Sequence, residues 1–209
     1  MWEAAAFQFA PVDDASTTTN FGGILLMTKG KTSYSARTLY LVTSAVIAAL
    51  YVVLTLPFAQ FAFGPIQFRL AEIMVILPIF TPAAIPGLTL GCFLANLLNP
   101  NNLGVIDIVF GSLATLTAAV LTRLIAQKAR RIPETPRNVI ALIPPVIVNA
   151  LIVGTYLSFL LTDGPVTGAV AGMNILYVGA SEALVVYALG LPFLYVLKRT
   201  HIDRIWQKE

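Results

Sequence analysis

The stretch "GPIQFRLAEIMVILPIF", residues 64–80, sets Arg69 and Glu72 at the head of a segment that is otherwise almost wholly apolar. The apolar residues around this pair lie in an uninterrupted run, without amphipathic spacing, and similar runs recur along the chain. Of 209 residues, 57% are hydrophobic and 11% charged, whereas a soluble domain is about a quarter charged. Mean hydropathy is +0.82. Runs of roughly 18 or more apolar residues read as membrane spans. The sequence therefore specifies an all-α integral membrane protein, and the two charges need an explanation.

Working outward from that stretch, six runs are read. The first, 38–57, is "TLYLVTSAVIAALYVVLTLP", followed by the apolar connector "FAQFAFGPIQF". The second, 69–80, ends in "TPAAIPG", whose prolines break and restart a helix. The third covers about 83–98, and the turn "NPNNLG" leads to the fourth, about 105–127. A basic loop, "KARRIPETPR", precedes the fifth run at about 139–161, and "TDGP" precedes the sixth at about 169–197. The expected domain is a six-helix membrane bundle over 37–199, with a polar leader (1–36) and a short tail (200–209).

Lys and Arg set the expected orientation. Lys29, Lys31 and Arg37 precede the first run; Lys128, Arg130, Arg131 and Arg137 separate the fourth from the fifth; Lys198, Arg199, Arg204 and Lys208 follow the last. With six spans these segments share one side, which the positive-inside rule makes cytoplasmic. Both termini are then inside, and the connectors 58–68, 99–104 and 162–168 face out. Residues 1–26 lack the basic and long apolar regions of a signal peptide and read as a disordered polar leader. Met27 is the expected start of translation, with Gly22-Gly23 the translated trace of a purine-rich ribosome-binding site. An intact mass beginning at Met1 or Trp2 in natively expressed protein would overturn that start.

Several chemistries are excluded. Cys92 is the single cysteine and His201 the single histidine, so one chain offers no disulfide framework and no cluster of thiolate or imidazole ligands. No metal and no cofactor is expected. The net charge of +3 sits beside the apolar runs and is no nucleic-acid footprint. No Ser/His pairing or acid pair of known chemistry points to an enzyme. There is no G-x-x-x-x-G-K-[ST] phosphate loop, and no evident inverted repeat of the secondary-transporter kind.

The polar residues inside the runs remain. An α-helix over 69–80 would be about 18 Å long against roughly 30 Å of hydrocarbon. The uncharged connector before it therefore reads as a loop laid over other helices, since irregular backbone at membrane depth survives only against protein or a wet cavity. Arg69 and Glu72, at i and i+3, share a face beneath that loop, and Glu72 suits the helix dipole in a first turn. They form either a structural ion pair or part of a ligand site. On the sixth run Asn174, Tyr177 (or Val178), Ser181 and Glu182 form one polar stripe, with Glu182 near mid-span. Arg69 and Arg123 are its candidate cationic partners, Arg123 lying near the cytoplasmic end. Asn149 and Tyr156 share a face of the fifth run, and Asn96 and Asp107 flank the 99–104 connector. The asparagines serve either a ligand or helix–helix contacts. The candidate substrate-binding set is Gln67, Arg69, Glu72, Asn96, Asn149, Tyr156, Asn174, Tyr177 and Glu182. Carboxylates accept hydrogen bonds, so the ligand is rich in N–H donors or cationic, and aromatic rings suit a planar one. A guanine-like ring meets both demands. In the first run, Ser44-xxx-Ala48 and Ala45-xxx-Ala49 form a small-residue face for close helix approach, within the bundle or against a partner.

The blocks "GPIQFRLAEIMVILPIFTPAAIPGLTLGCFLANLL", "LGVIDIVFGSLATLTAAVLT", "PPVIVNALIVG" and "YVGASEALVVYALGLP" resemble the QueT family over about residues 37–199. These are substrate-binding (S) components of energy-coupling-factor transporters assigned to queuosine precursors. The resemblance implies a plasma-membrane subunit that binds a 7-deazaguanine-type precursor from outside. It implies as partners a membrane coupling subunit and two cytoplasmic ATPases, which would supply the missing energy source. It further implies that Ala45 and Ala49 dock the coupling subunit and that the 58–68 connector acts as a lid. Glu182 or Glu72 would take the guanine-like edge, with Arg69 orienting or neutralising the other. The alternatives are an S component for another vitamin-like ligand, or an autonomous secondary transporter of an organic cation.

Overall fold

The computed structural model describes residues 35–58, 69–99, 103–162 and 164–200, which are helical apart from short connections. Helix α1 runs Ala36–Thr55 and ends in a single 3-10 turn, Leu56–Phe58. A 3-10 helix, Leu70–Ile79, comes next, then α2 (Ala84–Leu98) and α3 (Val105–Lys128). A 3-10 turn (Ala129–Arg131) leads to a short α4 (Glu134–Ala141) and to α5 (Ile143–Leu160). The last run divides into α6 (Gly168–Ala183), a π-helical segment (Leu184–Gly190) and α7 (Leu191–Arg199). All six expected runs are helical. Among the described residues, four stretches are long and apolar enough to cross a membrane: Ala36–Phe58, Val105–Arg131, Glu134–Leu160 and Gly168–Arg199; Leu70–Ile79 and Ala84–Leu98 are shorter.

The surface has the polarity of lipid. Leu41, Leu97, Val105, Phe159, Leu176 and Leu184 are all exposed, a distribution that water would penalise. Hydroxyls within the helices turn inward on their own backbone: Thr55 donates to the carbonyl of Tyr51, Thr115 to that of Gly111 and Ser158 to that of Gly154. That satisfies a polar group where no water is available.

The chain departs from a regular six-helix pattern at three places. The second run is 3-10 rather than α. Ten residues at about 2.0 Å each cover roughly 20 Å, where an α-helix would cover about 15 Å. This element is the centre of the bundle, with Ala71, Glu72, Met74, Val75, Ile76, Leu77 and Pro78 all buried. The basic loop is partly helical: α4 begins at Glu134 behind Pro133, and the helix breaks at Leu142 because Pro144 and Pro145 follow. The sixth run widens to a π-helix just before Pro192, where the Leu191 N–H bonds back to the carbonyl of Val186. Proline lacks an N–H and clashes with the preceding turn, and the wider turn accommodates it.

Glycines set the closest approaches. A Cβ on Gly87 would lie 2.8 Å from Ile47 Cβ and from the Ser44 carbonyl, and one on Gly91 would lie 2.6 Å from Tyr51 Cβ. The bare Gly87-xxx-Gly91 face of α2 thus receives Ser44 and Ala48 of α1, both buried, as small-residue faces do in membranes. Ala45 and Ala49 remain exposed on the same helix. Gly154 of α5 likewise meets the backbone of Ile175 in α6, where a Cβ would be 2.6 Å from Cα.

At one end of the bundle, Arg123 donates to the Pro78 carbonyl at 3.1 Å, capping the 3-10 helix. Lys198 pairs with Glu134 and lies over the Phe80 ring. Arg123 therefore serves that end and not Glu182.

Candidate functional site

Arg69, Glu72, Asn149, Val153, Val178 and Glu182 line one small cavity of about 10 Å³, room for roughly one water molecule. Ligand pockets usually measure about 300–1,000 Å³, so this one is closed and would have to widen to admit a ligand. Four of the lining residues are candidates from sequence, and they arrive from three separate elements: the 3-10 helix and its entry, α5 and α6. All six are buried.

Glu72 occupies the first turn of the 3-10 helix. Its Oε1 accepts a 2.6 Å hydrogen bond from the hydroxyl of Tyr51 on α1, and its buried Oε2 has no hydrogen-bond partner among the described residues. Glu182 comes at the end of α6, two residues before the π-helical segment. Its Oε1 accepts from Asn149 Nδ2 at 3.0 Å. Each carboxylate is thus held by one donor from a neighbouring helix. Both sit on or beside non-α segments, which recur at functional sites because they re-aim side chains.

Arg69 stands just before the 3-10 helix in extended backbone. It does not simply pair along its own helix face with Glu72. Its Nη2 lies 3.7 Å from Asp107 Oδ1, and its Nη1 is 3.9 Å from Cys92 Sγ. Asp107 is placed by Gly104, whose φ of +89° turns the chain into α3, a conformation glycine adopts without a Cβ penalty. The Tyr156 hydroxyl donates to the same Asp107 Oδ1 at 2.6 Å. Asn96 Nδ2 donates to the Asp107 carbonyl at 3.2 Å, reaching across Gly111, where a Cβ would be 2.8 Å from that nitrogen. Asn96 and Tyr156 therefore belong to a knot around Asp107 and Arg69, beside the cavity and not on its lining.

Two further candidates stand apart from the cavity. Asn174 is half-buried and bonds Ser158 Oγ at 3.1 Å, which fits helix–helix contact. Tyr177 is 42% exposed on the outer surface; the stripe turns Val178 inward instead. Gln67 and the 59–68 connector lie outside the described residues. Tyr51 is a residue the sequence reading missed. Its signal was present, since Ser44, Ala48, Tyr51 and Thr55 make one buried stripe along α1. Among the described residues, no cluster of His, Cys, Asp and Glu suits a metal ion.

The model of the QueT transporter family matches residues 41–199. The chain belongs to the QueT transporter family. The matched range holds every residue of the cavity and the knot. A curated protein, "Queuosine precursor transporter QueT" of Lactococcus lactis subsp. cremoris (strain MG1363), is 36% identical over 83 residues. That match covers 39% of this chain and 47% of the relative, about half its length. No solved structure matches the chain. Family membership and the apolar helices together make it a multi-pass membrane protein of a transporter family.

Proposed function

We propose that this chain is the substrate-binding membrane subunit of an energy-coupling-factor importer that takes up a queuosine precursor with a 7-deazaguanine ring. The observation that carries the reading is the buried pair Glu72 and Glu182, facing one cavity within the family-matched segment. A buried carboxylate in a membrane bundle costs several kcal/mol unless something pairs with it. A ring with adjacent N–H donors is such a partner. Residues 37–199 form the binding domain, 1–36 and 200–209 lie outside it, and both termini are cytoplasmic by the Lys/Arg pattern. The chain binds the precursor at the outer side, and ATP hydrolysis belongs to partner subunits.

Coupling is proposed from α1. Of its two small-residue pairs, Ser44/Ala48 is consumed by α2, whereas Ala45/Ala49 is left exposed. Beside it runs an apolar groove lined by Val46, Leu50, Val53, Ile73, Leu77 and Phe193 among others. That surface suits a helix of a membrane coupling subunit.

The test is calorimetric titration of the detergent-purified chain with queuine, 7-cyano- and 7-aminomethyl-7-deazaguanine, guanine and riboflavin. One deazaguanine should bind tightly. Glu182→Gln should weaken it by about 2–5 kcal/mol, the cost of truncating one partner of a buried hydrogen-bonded charge. If riboflavin binds and no deazaguanine does, the substrate assignment is wrong.

A further inference from the structure

Helix α4 is amphipathic the wrong way round for a helix in water. Asn138 and Ala141 turn into the bundle and are buried, whereas Pro136, Val139 and Ile140 face outward and are exposed. Water penalises that arrangement and a lipid interface favours it. Ile140 also begins a ridge that crosses the break at Leu142 and follows α5: Ile140, Ile143, Ile147 and Leu151, three or four positions apart, are all exposed. One helical turn before Ile140 stands Arg137, half-buried. The 3-10 turn that packs against α4 supplies Arg130 and Arg131, and α3 ends in Lys128; these three are exposed. Among the described residues, none of the four cations forms an ion pair. Glu134, the one acidic residue between Asp107 and Asp163, is taken by Lys198.

We propose that this corner of the bundle holds an anionic phospholipid. Its acyl chain lies along the ridge from Ile140 to Leu151, and its headgroup meets Arg137, Arg130, Arg131 and Lys128. The guanidinium fork suits a phosphate, and the long basic side chains reach from an apolar surface to the headgroup level. A zwitterionic headgroup brings its own ammonium, so the unpaired positive charge selects a lipid with a net negative one. The two halves of the surface choose the occupant together. A soluble acidic protein or a nucleic acid would match the cations and leave the ridge bare. An apolar partner helix would cover the ridge and bring no anion. The inference needs only that the chain spans a membrane, and it is independent of the transported substrate.

The full chain, purified in a neutral detergent, is given equal amounts of phosphatidylglycerol and phosphatidylcholine with matched acyl chains, and native mass spectrometry counts the lipid retained. Each Lys or Arg near the surface gives roughly a fivefold preference for an anionic lipid. Bound phosphatidylglycerol should therefore exceed phosphatidylcholine by roughly a hundredfold for the three exposed cations. Lys128→Gln, Arg130→Gln and Arg131→Gln together should bring the ratio to within about fivefold, the share left to Arg137. A phosphatidylglycerol with a photoreactive acyl chain should label the peptide that carries residues 140–151. A native ratio near one overturns the proposal, as does label confined to other helices. A triple variant that keeps the native lipid ratio but loses co-purifying protein subunits would make the basic arm a protein-docking surface and overturn the lipid site. If the triple variant fails to insert, labelling of the native chain still decides where the lipid sits.

Discussion

Replacing Arg69 with methionine is expected to destabilise the protein by about 3–5 kcal/mol, the usual result of removing one partner from a buried ion pair. The volume is nearly conserved, so the loss would come from charge. Without Arg69, Asp107 keeps the Tyr156 hydroxyl on Oδ1, but its Oδ2, which has no hydrogen-bond partner among the described residues, gains nothing in exchange. Glu72 and Glu182 lose their nearest positive charge as well. Thermal unfolding in detergent, followed by monodispersity on size exclusion, reads the effect directly. The double change Arg69→Met with Asp107→Asn should recover much of the loss, because an amide in that position still accepts from Tyr156 without needing a counter-charge. A single variant as stable as the native chain would mean that the guanidinium is not what holds this end of the bundle together.

Much of this arrangement was legible in the sequence because hydrophobic runs and punctuation are local signals. The six runs, the proline break at 80–83 and the short second segment all follow from residue order. The helix type of that segment did not. Apolar content is the same for α and 3-10 geometry, and only the neighbours around Leu70–Ile79 select the longer rise. The π-helical segment before Pro192 was hidden for a related reason: a proline announces disruption without saying how the chain relieves it.

The candidate site divides along the same line. Glu72, Asn149 and Glu182 were recognisable singly, since a carboxylate or amide inside an apolar run is costly and must be met by something. Their convergence is a tertiary fact. Arg69 illustrates the limit: its i, i+3 relation to Glu72 suggested a local pair, whereas the fold brings Asp107 to it from 38 positions away (69 to 107). Tyr51 was masked by its aromatic character in a run of Val, Leu and Ala, where a hydroxyl does little to the hydropathy. Tyr177 and Val178 are adjacent and so lie about 100° apart on a helix; periodicity left either as the inward residue, and packing against α5 chose Val178.

Tryptophan at both Ala45 and Ala49 should leave ligand affinity intact and abolish uptake. The two positions lie on the outer surface of α1, away from the cavity, and the close packing of α1 against α2 depends on Ser44, Ala48, Gly87 and Gly91 instead. Both side chains are exposed among the described residues, which leave room there for a larger one. It would meet a helix that docks by close approach, where overpacking costs about 1–3 kcal/mol per site and two sites together imply a loss of tenfold or more. The experiment pairs calorimetry on the purified variant with uptake in cells that supply the coupling subunit and ATPases, and with co-purification of those subunits. Intact binding with lost uptake and lost co-purification is the expected result. Uptake that survives the double substitution would remove α1 from the docking surface, and uptake by the chain alone in proteoliposomes would favour an autonomous transporter. The two small-residue pairs of α1 thus have separable roles, one closing the bundle and the other facing out of it, although they differ in sequence by a single register step.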